Sequence, residues 1–234
     1  MHSAIIVAAG RGTRMGPDID KLFLEVAGRP VVAHAWAGFD TAECIDEIVL
    51  VVRAGMEEAF REIGAKLRVK KPHRFVVGGA ERQDSVWNGL EALSAGAELV
   101  AIHDGARPCV SRELIGQTLR AAQASGAAVV AQRVTDTIKQ SDDGATISCT
   151  VDRAKLWSVQ TPQAFRVNVI RQAIRTARAR GLNLTDDTAA CELIGQPVTL
   201  VESKQPNPKV TVSGDLPFIE ALLNRHPSFA IRHS

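Results

Sequence analysis

The chain has 234 residues, 45% of them apolar, and 28 basic against 26 acidic side chains give a net charge of +2. That length can bury a sizeable core as one large α/β domain or two small ones. Such a balance of charge argues against a nucleic-acid surface, which is strongly basic on one face. No apolar run approaches the roughly 20 residues of a membrane helix. The amino terminus lacks the basic segment, apolar stretch and cleavage site of a secretory signal, so a cytoplasmic location is expected. Cys44, Cys109, Cys149 and Cys191 are scattered, without metal-ligand spacing, and read as small hydrophobes of a reducing compartment.

In chain order, Ala4-Ile5-Ile6-Val7-Ala8-Ala9 predicts a fully buried strand over Ser3–Ala9. A glycine-rich segment, Gly10-Arg11-Gly12-Thr13-Arg14-Met15-Gly16, follows it. Pro30 opens a predicted helix through Phe39, at the first helical position. Glu47–Val52 is a second buried strand. Gly55–Gly64 is an amphipathic helix, Arg74–Val77 a strand, and Glu81–Ala95 a helix. Leu99–His103 is a strand ending at Asp104. Ser111 caps a helix to about Ser125, and Ala127–Ala131 is another strand. Helices are expected again over Arg166–Arg180, Asp186–Ile194 and Leu216–Asn224. This alternation predicts an α/β fold with a doubly wound, mainly parallel sheet.

Between Asp136 and Trp157 the alternation stops. Ser141-Asp142-Asp143-Gly144 is a turn signal between β-prone flanks, which predicts a hairpin. An insertion of that size is usually functional or an interaction arm.

The chemistry is expected at the carboxyl ends of the strands, where open α/β sheets bind ligands. Gly10–Arg14, Gly78-Gly79 and Asp104-Gly105-Ala106-Arg107 all lie there, so they converge on one pocket. Glycine turns expose consecutive N–H groups to anions, and Arg14 and Lys21 add cations, which suits a polyphosphate. The loop matches neither a Walker A sequence nor the dinucleotide fingerprint. Asp104 is placed to hold Mg²⁺, which takes few carboxylates together with substrate phosphates; a plain turn residue is the alternative. His103 should face the other way and pack in the core. The start of the Glu81 helix either reads a base edge or is a solvated face. Thr185-Asp186-Asp187 either caps a helix or binds a phosphate, and Lys209 either serves a site or is a strand surface charge. No protein nucleophile is presented, which fits a substrate-supplied nucleophile and catalysis by positioning and charge.

Ala8-Ala9-Gly10-x-Gly12-x-Arg14-Met15 with Lys21 resembles the signature of nucleotidylyltransferases that activate sugar and polyol phosphates. Further segments narrow the resemblance to the 2-C-methyl-D-erythritol 4-phosphate cytidylyltransferase family of non-mevalonate isoprenoid synthesis. They are Gly78-Gly79-x-x-Arg82-Gln83-x-Ser85-Val86, His103–Pro108, Asp136–Lys139, Arg153-x-x-Leu156-Trp157-x-x-Gln160-Thr161-Pro162-Gln163 and Thr185-Asp186-Asp187.

The resemblance implies a Rossmann-like nucleotidyltransferase domain over 1–234 with a protruding β-hairpin dimerisation arm over 136–157. It implies that Ala8, Ala9, Gly10 and Gly12 surround CTP, that Arg14 and Lys21 stabilise the transition state, and that Gly79, Arg82 and Ser85 contact cytosine. Asp104 would bind Mg²⁺, with Ala106 and Arg107 beside the nucleotide. Thr137, Arg153, Thr185 and Lys209 would hold methylerythritol phosphate, the first two from the partner of a homodimer. Neither a nucleic-acid nor a membrane partner is implied. The chain departs from the family pattern at Asp20, where proline is common, at Ala80, and in a slightly short arm. A ribitol-5-phosphate cytidylyltransferase, another nucleotidylyltransferase and a non-catalytic nucleotide-binding regulator are the competing readings.

Overall fold

A computed structural model describes residues 1–10 and 20–225. Its strands are β1 (His2–Ala8), β2 (Glu25–Val26), β3 (Arg29–Pro30), β4 (Glu47–Val52), β5 (His73–Val77), β6 (Leu99–Asp104), β7 (Ala127–Arg133), β8 (Lys139–Gln140), β9 (Cys149–Thr150), β10 (Trp157–Arg166) and β11 (Thr199–Glu202). Its helices are α1 (Val31–Asp40), α2 (Glu57–Leu67), α3 (Arg82–Glu91), α4 (Arg112–Ser125), α5 (Val167–Ala179), α6 (Asp187–Glu192) and α7 (Leu216–Arg225).

Seven strands form one sheet in the order β11-β7-β10-β6-β1-β4-β5. β1, β4, β5 and β6 run parallel, and β11 is parallel to β7. β10 runs against both β6 and β7. Strand alternation splits the apolar side chains between two layers. Ala4, Ile6 and Ala8 of β1 pack with Trp36 and Phe39 of α1 and Phe60 of α2. Ile5 turns the other way, toward Val86 and Leu90 of α3 and Ile170 and Ile174 of α5. The sheet is therefore covered on both faces, as its continuous apolar strands require. A third cluster joins α7 to Val26, Val31, Cys109 and Val210.

The connections decide where a ligand binds. From β1 the chain steps to β4 and β5 on one side, then returns to place β6 on the other. That reversal opens a crevice at the carboxyl ends of β1 and β6. Val7 lies opposite Asp104 in the register, so the glycine segment and Asp104 leave the sheet at the same level.

Several local expectations change. Pro30 ends a short strand and is the N-cap of α1, with Val31 the first helical residue. β10 and β11 were not legible as strands. Pro162 and the register shift between Val159 and Gln163 interrupt β10, and β11 is a short edge strand. In the inserted segment, β8 pairs antiparallel with β9, Lys139 opposite Thr150 and Gln140 opposite Cys149. From Thr135 to Lys155 no residue is buried.

Candidate active site

A cleft of about 510 Å³ opens at the carboxyl ends of β1 and β6. Val7, Ala9, Gly10, Lys21, Leu22, Gly79, Ala80, Glu81, Arg82, Ser85, Asp104, Ala106 and Lys209 line it. Segments far apart in sequence thus meet, as the strand ends predicted.

The close approach of these segments requires glycine. A Cβ on Gly78 would sit 2.4 Å from the Ala9 Cβ, and one on Gly79 2.3 Å from the Asp84 Cβ. The Gly79 N–H donates to Ser85 Oγ at 3.1 Å, fixing that hydroxyl at the start of α3.

Asp104 is the electrostatic centre. It is 8% exposed. Lys209 Nζ donates to its Oδ2 at 2.6 Å and Arg82 Nε to its Oδ1 at 3.4 Å, while Arg107 Nε lies 3.9 Å from Oδ2. Burial by itself would raise the Asp104 carboxyl, but Arg82, Lys209 and Arg107 outweigh it and hold the group well below the usual carboxylate range. The acid is therefore charged at neutral pH. Lys209 belongs to no strand in this structure, and its charge serves the cleft.

Arg82 spans two acids. Its Nη1 and Nη2 donate to Asp187 Oδ1 and Oδ2 at 2.8 and 2.9 Å, a fork that matches both planes. Burial works against the Arg82 cation, yet Asp187 and Asp104 raise its affinity for the proton. Burial pushes the Asp187 carboxyl up, against the pull of Arg82, and Asp186 and Asp104 push it the same way.

Beneath Asp104 lies a polar relay. The Asp104 N–H donates to Thr161 Oγ1 at 3.1 Å. Thr161 Oγ1 is 3.0 Å from His103 Nδ1, and His103 Nε2 is 3.0 Å from the Arg107 carbonyl. Burial lowers the His103 pKa to about 4, so the ring is neutral. A carbonyl only accepts, so Nε2 carries the proton and Nδ1 accepts from Thr161. His103 packs against Phe39, ring centroids 5.1 Å apart, on the face opposite Asp104. Asn207 Nδ2 donates to the Thr161 carbonyl at 2.7 Å, and Arg107 Nη1 to the Asn207 carbonyl at 2.7 Å. Thr161 and Asn207 gave no sequence signal for this role; Asn207 acts on a main-chain carbonyl, and Thr161 on the Asp104 N–H and the His103 ring, far off in sequence.

Lys21 is 8% exposed, and its Nζ donates to the Val210 carbonyl at 3.0 Å. Asp20 accepts from the Leu22 N–H at 3.1 Å and pairs with Arg53 just after β4. Asp20 thus ties the segment that carries Lys21 to the end of β4.

Other expected residues stand apart. Ala8 is buried behind the cleft among the α1 layer. Thr185 is exposed, one residue before the Asp186 cap of α6. Thr137 and Arg153 are exposed and do not line the cleft; Arg153 donates to the Thr135 carbonyl within its own segment. Arg14 and Gly12 lie outside the described residues.

Among the described residues, Asp104 and Glu81 are the carboxylates lining the cleft. Among the described residues, no group of three potential metal-ligating side chains occurs. Among the described residues Asp104 is the one buried carboxylate lining the cleft, which suits Mg²⁺, an ion that keeps water and takes phosphate oxygens, provided that it shares the carboxylate with Lys209 and Arg82. Nor is any helix among the described residues long and apolar enough to cross a membrane.

Comparison with known proteins gives one answer. The family profile described as 2-C-methyl-D-erythritol 4-phosphate cytidylyltransferase matches residues 2–225. A protein of that name from Geobacillus kaustophilus is 44% identical over 222 residues, covering 95% of this chain and 96% of the relative. The crystal structure of 4-diphosphocytidyl-2C-methyl-D-erythritol synthase from Anaerococcus prevotii superposes with a TM-score of 0.85 at 34% identity, covering 96% of each chain. A cytidylyltransferase structure from Thermus thermophilus gives 0.77 at 35% identity, covering 96% of this chain and 100% of that one.

Proposed function

We infer the activity of this chain from its family: it belongs to the 2-C-methyl-D-erythritol 4-phosphate cytidylyltransferases. It transfers CMP from CTP to 2-C-methyl-D-erythritol 4-phosphate, giving 4-diphosphocytidyl-2-C-methyl-D-erythritol and pyrophosphate. The observation that supports this reading best is the buried, charged Asp104 ringed by Arg82, Arg107 and Lys209 at the strand-order reversal.

The residues divide the work. Gly10 and Gly12 present N–H groups to the triphosphate, with Ala8 and Ala9 beside the nucleotide. Gly79 and Ser85 let the base approach, and Arg82, which only donates, selects acceptor atoms on it. Ala106 and Arg107 flank the nucleotide from β6. A phosphate oxygen of the polyol attacks the α-phosphorus in line, and pyrophosphate leaves. Lys21, with Arg14, stabilises the charge that develops there, which is the main protein contribution when positioning replaces covalent catalysis. Lys209 and Thr185 hold the polyol phosphate. Asp104 would hold Mg²⁺, which neutralises phosphate charge when bound.

We assign residues 1–234 to one nucleotidyltransferase domain whose arm, 136–157, crosses to a second copy. Thr137 and Arg153 then act in the partner's cleft. A two-stranded ribbon with no buried residue needs a surface to pack on, which supports the homodimer. All four cysteines are free, in keeping with a reducing cytoplasm.

The test is direct. The protein is incubated with CTP, Mg²⁺ and either methylerythritol phosphate or ribitol 5-phosphate, and the product is identified by mass. Methylerythritol turnover with pyrophosphate release is expected; ribitol turnover alone would replace the reading, and CTP binding without turnover of either would make the chain a binding protein.

A further inference from the structure

We propose that Asp187 is a positioning residue that aims Arg82 at the nucleotide and thereby sets the preference for the cytosine base. The inference rests on the reading of Arg82 as a base contact given above.

Asp187 is 3% exposed, in the first turn of α6. Both of its oxygens are given to Arg82. Its own N–H donates to Gln163 Oε1 at 3.1 Å, while Gln163 Nε2 donates to Asp186 Oδ2 at 2.9 Å. Asp186 in turn caps α6 by accepting from the Ala189 N–H at 3.0 Å. Gln163 thus clips the start of α6 to β10 at Asp186 and at Asp187 itself, so the Asp187 carboxylate is a fixed anchor.

Arg82 has five N–H donors in a rigid fork. Three are spoken for: one on Nε toward Asp104, and one on each terminal nitrogen toward Asp187. One hydrogen on each terminal nitrogen remains, on a side chain that lines the cleft beside Ser85 and Gly79. With the guanidinium plane held at both edges, the direction of those hydrogens is fixed before a nucleotide arrives. A donor of fixed direction discriminates between pyrimidines. N3 accepts in cytosine and carries a proton in uracil, so a donor aimed there rejects uracil. Without its anchor, the long Arg82 side chain turns to suit either base, and preorganised selectivity is lost.

Asp187→Asn keeps the size and removes the charge. The affinity for CTP and for UTP is measured by calorimetry, and the kcat/KM ratio of the two nucleotides by pyrophosphate release, beside the melting temperature. The expected result is a CTP Kd raised about tenfold, the scale of losing a charge-assisted bond, with the CTP-over-UTP ratio reduced by a similar factor. A second variant, Asp187→Glu, keeps the charge and leaves Arg82 in place but moves the anchoring oxygens by one methylene. It should hold the melting temperature closer to that of the unmodified protein while still lowering the CTP-over-UTP ratio, and it serves if the first variant does not fold. A merely structural role would weaken both nucleotides in parallel. Unchanged CTP preference in either folded variant overturns the inference; failure of the unmodified protein to bind CTP overturns the reading of Arg82 instead.

Discussion

The two ends of the sheet make an instructive pair. At the amino end of β6, an open hollow of about 1010 Å³ is lined by Arg166, Arg171 and Arg175 with Glu98 and Gln123. It is the larger of the two openings, and among the described residues its lining has three cations to one acid against three to two in the cleft. Yet its arginines have structural partners. Arg166 donates to the Gln123 carbonyl at 2.7 Å, Arg171 to the Leu90 carbonyl at 2.6 Å, and the Arg175 guanidinium lies 5.4 Å from the Trp87 ring centroid. At the carboxyl end the cleft is half that volume, and two of its cations, Arg82 and Lys209, converge on one buried acid. Chemistry needs charge held away from water, where each interaction is stronger. Size alone supplies none of that.

Substitutions at the two ends should separate them sharply. The largest effect is expected for Asp104→Asn. It leaves Arg82, Arg107 and Lys209 without their shared anion, and pyrophosphate release should fall by about 10³-fold, the upper scale for one oriented electrostatic group. CTP binding should also lose most of its response to Mg²⁺; normal metal-dependent turnover would put the metal elsewhere.

Next in size is Lys21→Ala. Its kcat should fall by about 10²-fold, and a change confined to KM would remove its transition-state role. Arg153→Ala should be similarly inactive if the arm acts across a dimer. Mixing the two proteins should then restore turnover, because one cleft of a mixed dimer carries both defects and the other neither. No recovery after demonstrated subunit exchange would confine Arg153 to its own subunit.

A smaller effect concerns stability. The folded protein holds His103 neutral down to about pH 4, while the unfolded chain takes the proton near 6.5. Its contribution is therefore intact above about 6.5 and is lost as pH falls toward 4. His103→Gln keeps a donor for the Arg107 carbonyl and cannot titrate. Thermal melts from pH 7 to pH 4 should show a shallower decline in the variant; an equal decline would mean that His103 is charged in the fold.

The smallest effect belongs to the other end. Arg175→Ala should leave kcat within about twofold and stability within about 1 kcal/mol, as for most exposed substitutions. A large loss of turnover would mean that the two ends are coupled.

How much was legible follows the same division. β1, β4 and β6 were visible because each is a continuous apolar run, and Ser111 announced α4 by its cap, accepting from the Leu114 N–H at 3.2 Å. β10 was invisible because Gln160, Thr161 and Gln163 are buried polar residues inside it. Thr161 holds the Asp104 main chain and Gln163 holds the start of α6, so the needs of the cleft erased the pattern that reveals strands. Asp104 was legible from its place at a strand end. Its bond to Lys209 and the grip of Asp187 on Arg82 each join residues 105 apart in sequence, and no local pattern encodes such a meeting. Arg153 was named by motif alone, and its exposed position explains why packing offered no support.

One feature of the sheet bears on how such a chain can change. β7 ends at Arg133 and β10 begins opposite it, Trp157 facing Arg133, so the inserted ribbon leaves and re-enters the sheet at the same two neighbouring strands. The first strand of that pair is extended by the Val134 N–H bond to the Leu156 carbonyl at 3.2 Å, which closes the base of the insertion. Because β10 runs against β6, that base lies beyond the carboxyl end of β6, the same end of the sheet as the cleft. The fold therefore offers a socket. A ribbon of different length or composition can be exchanged there without moving a strand or touching the apolar layers. Variation in the ribbon can then accumulate independently of the strands that carry the cleft, and a designer exchanging it would cut at Val134 and Leu156.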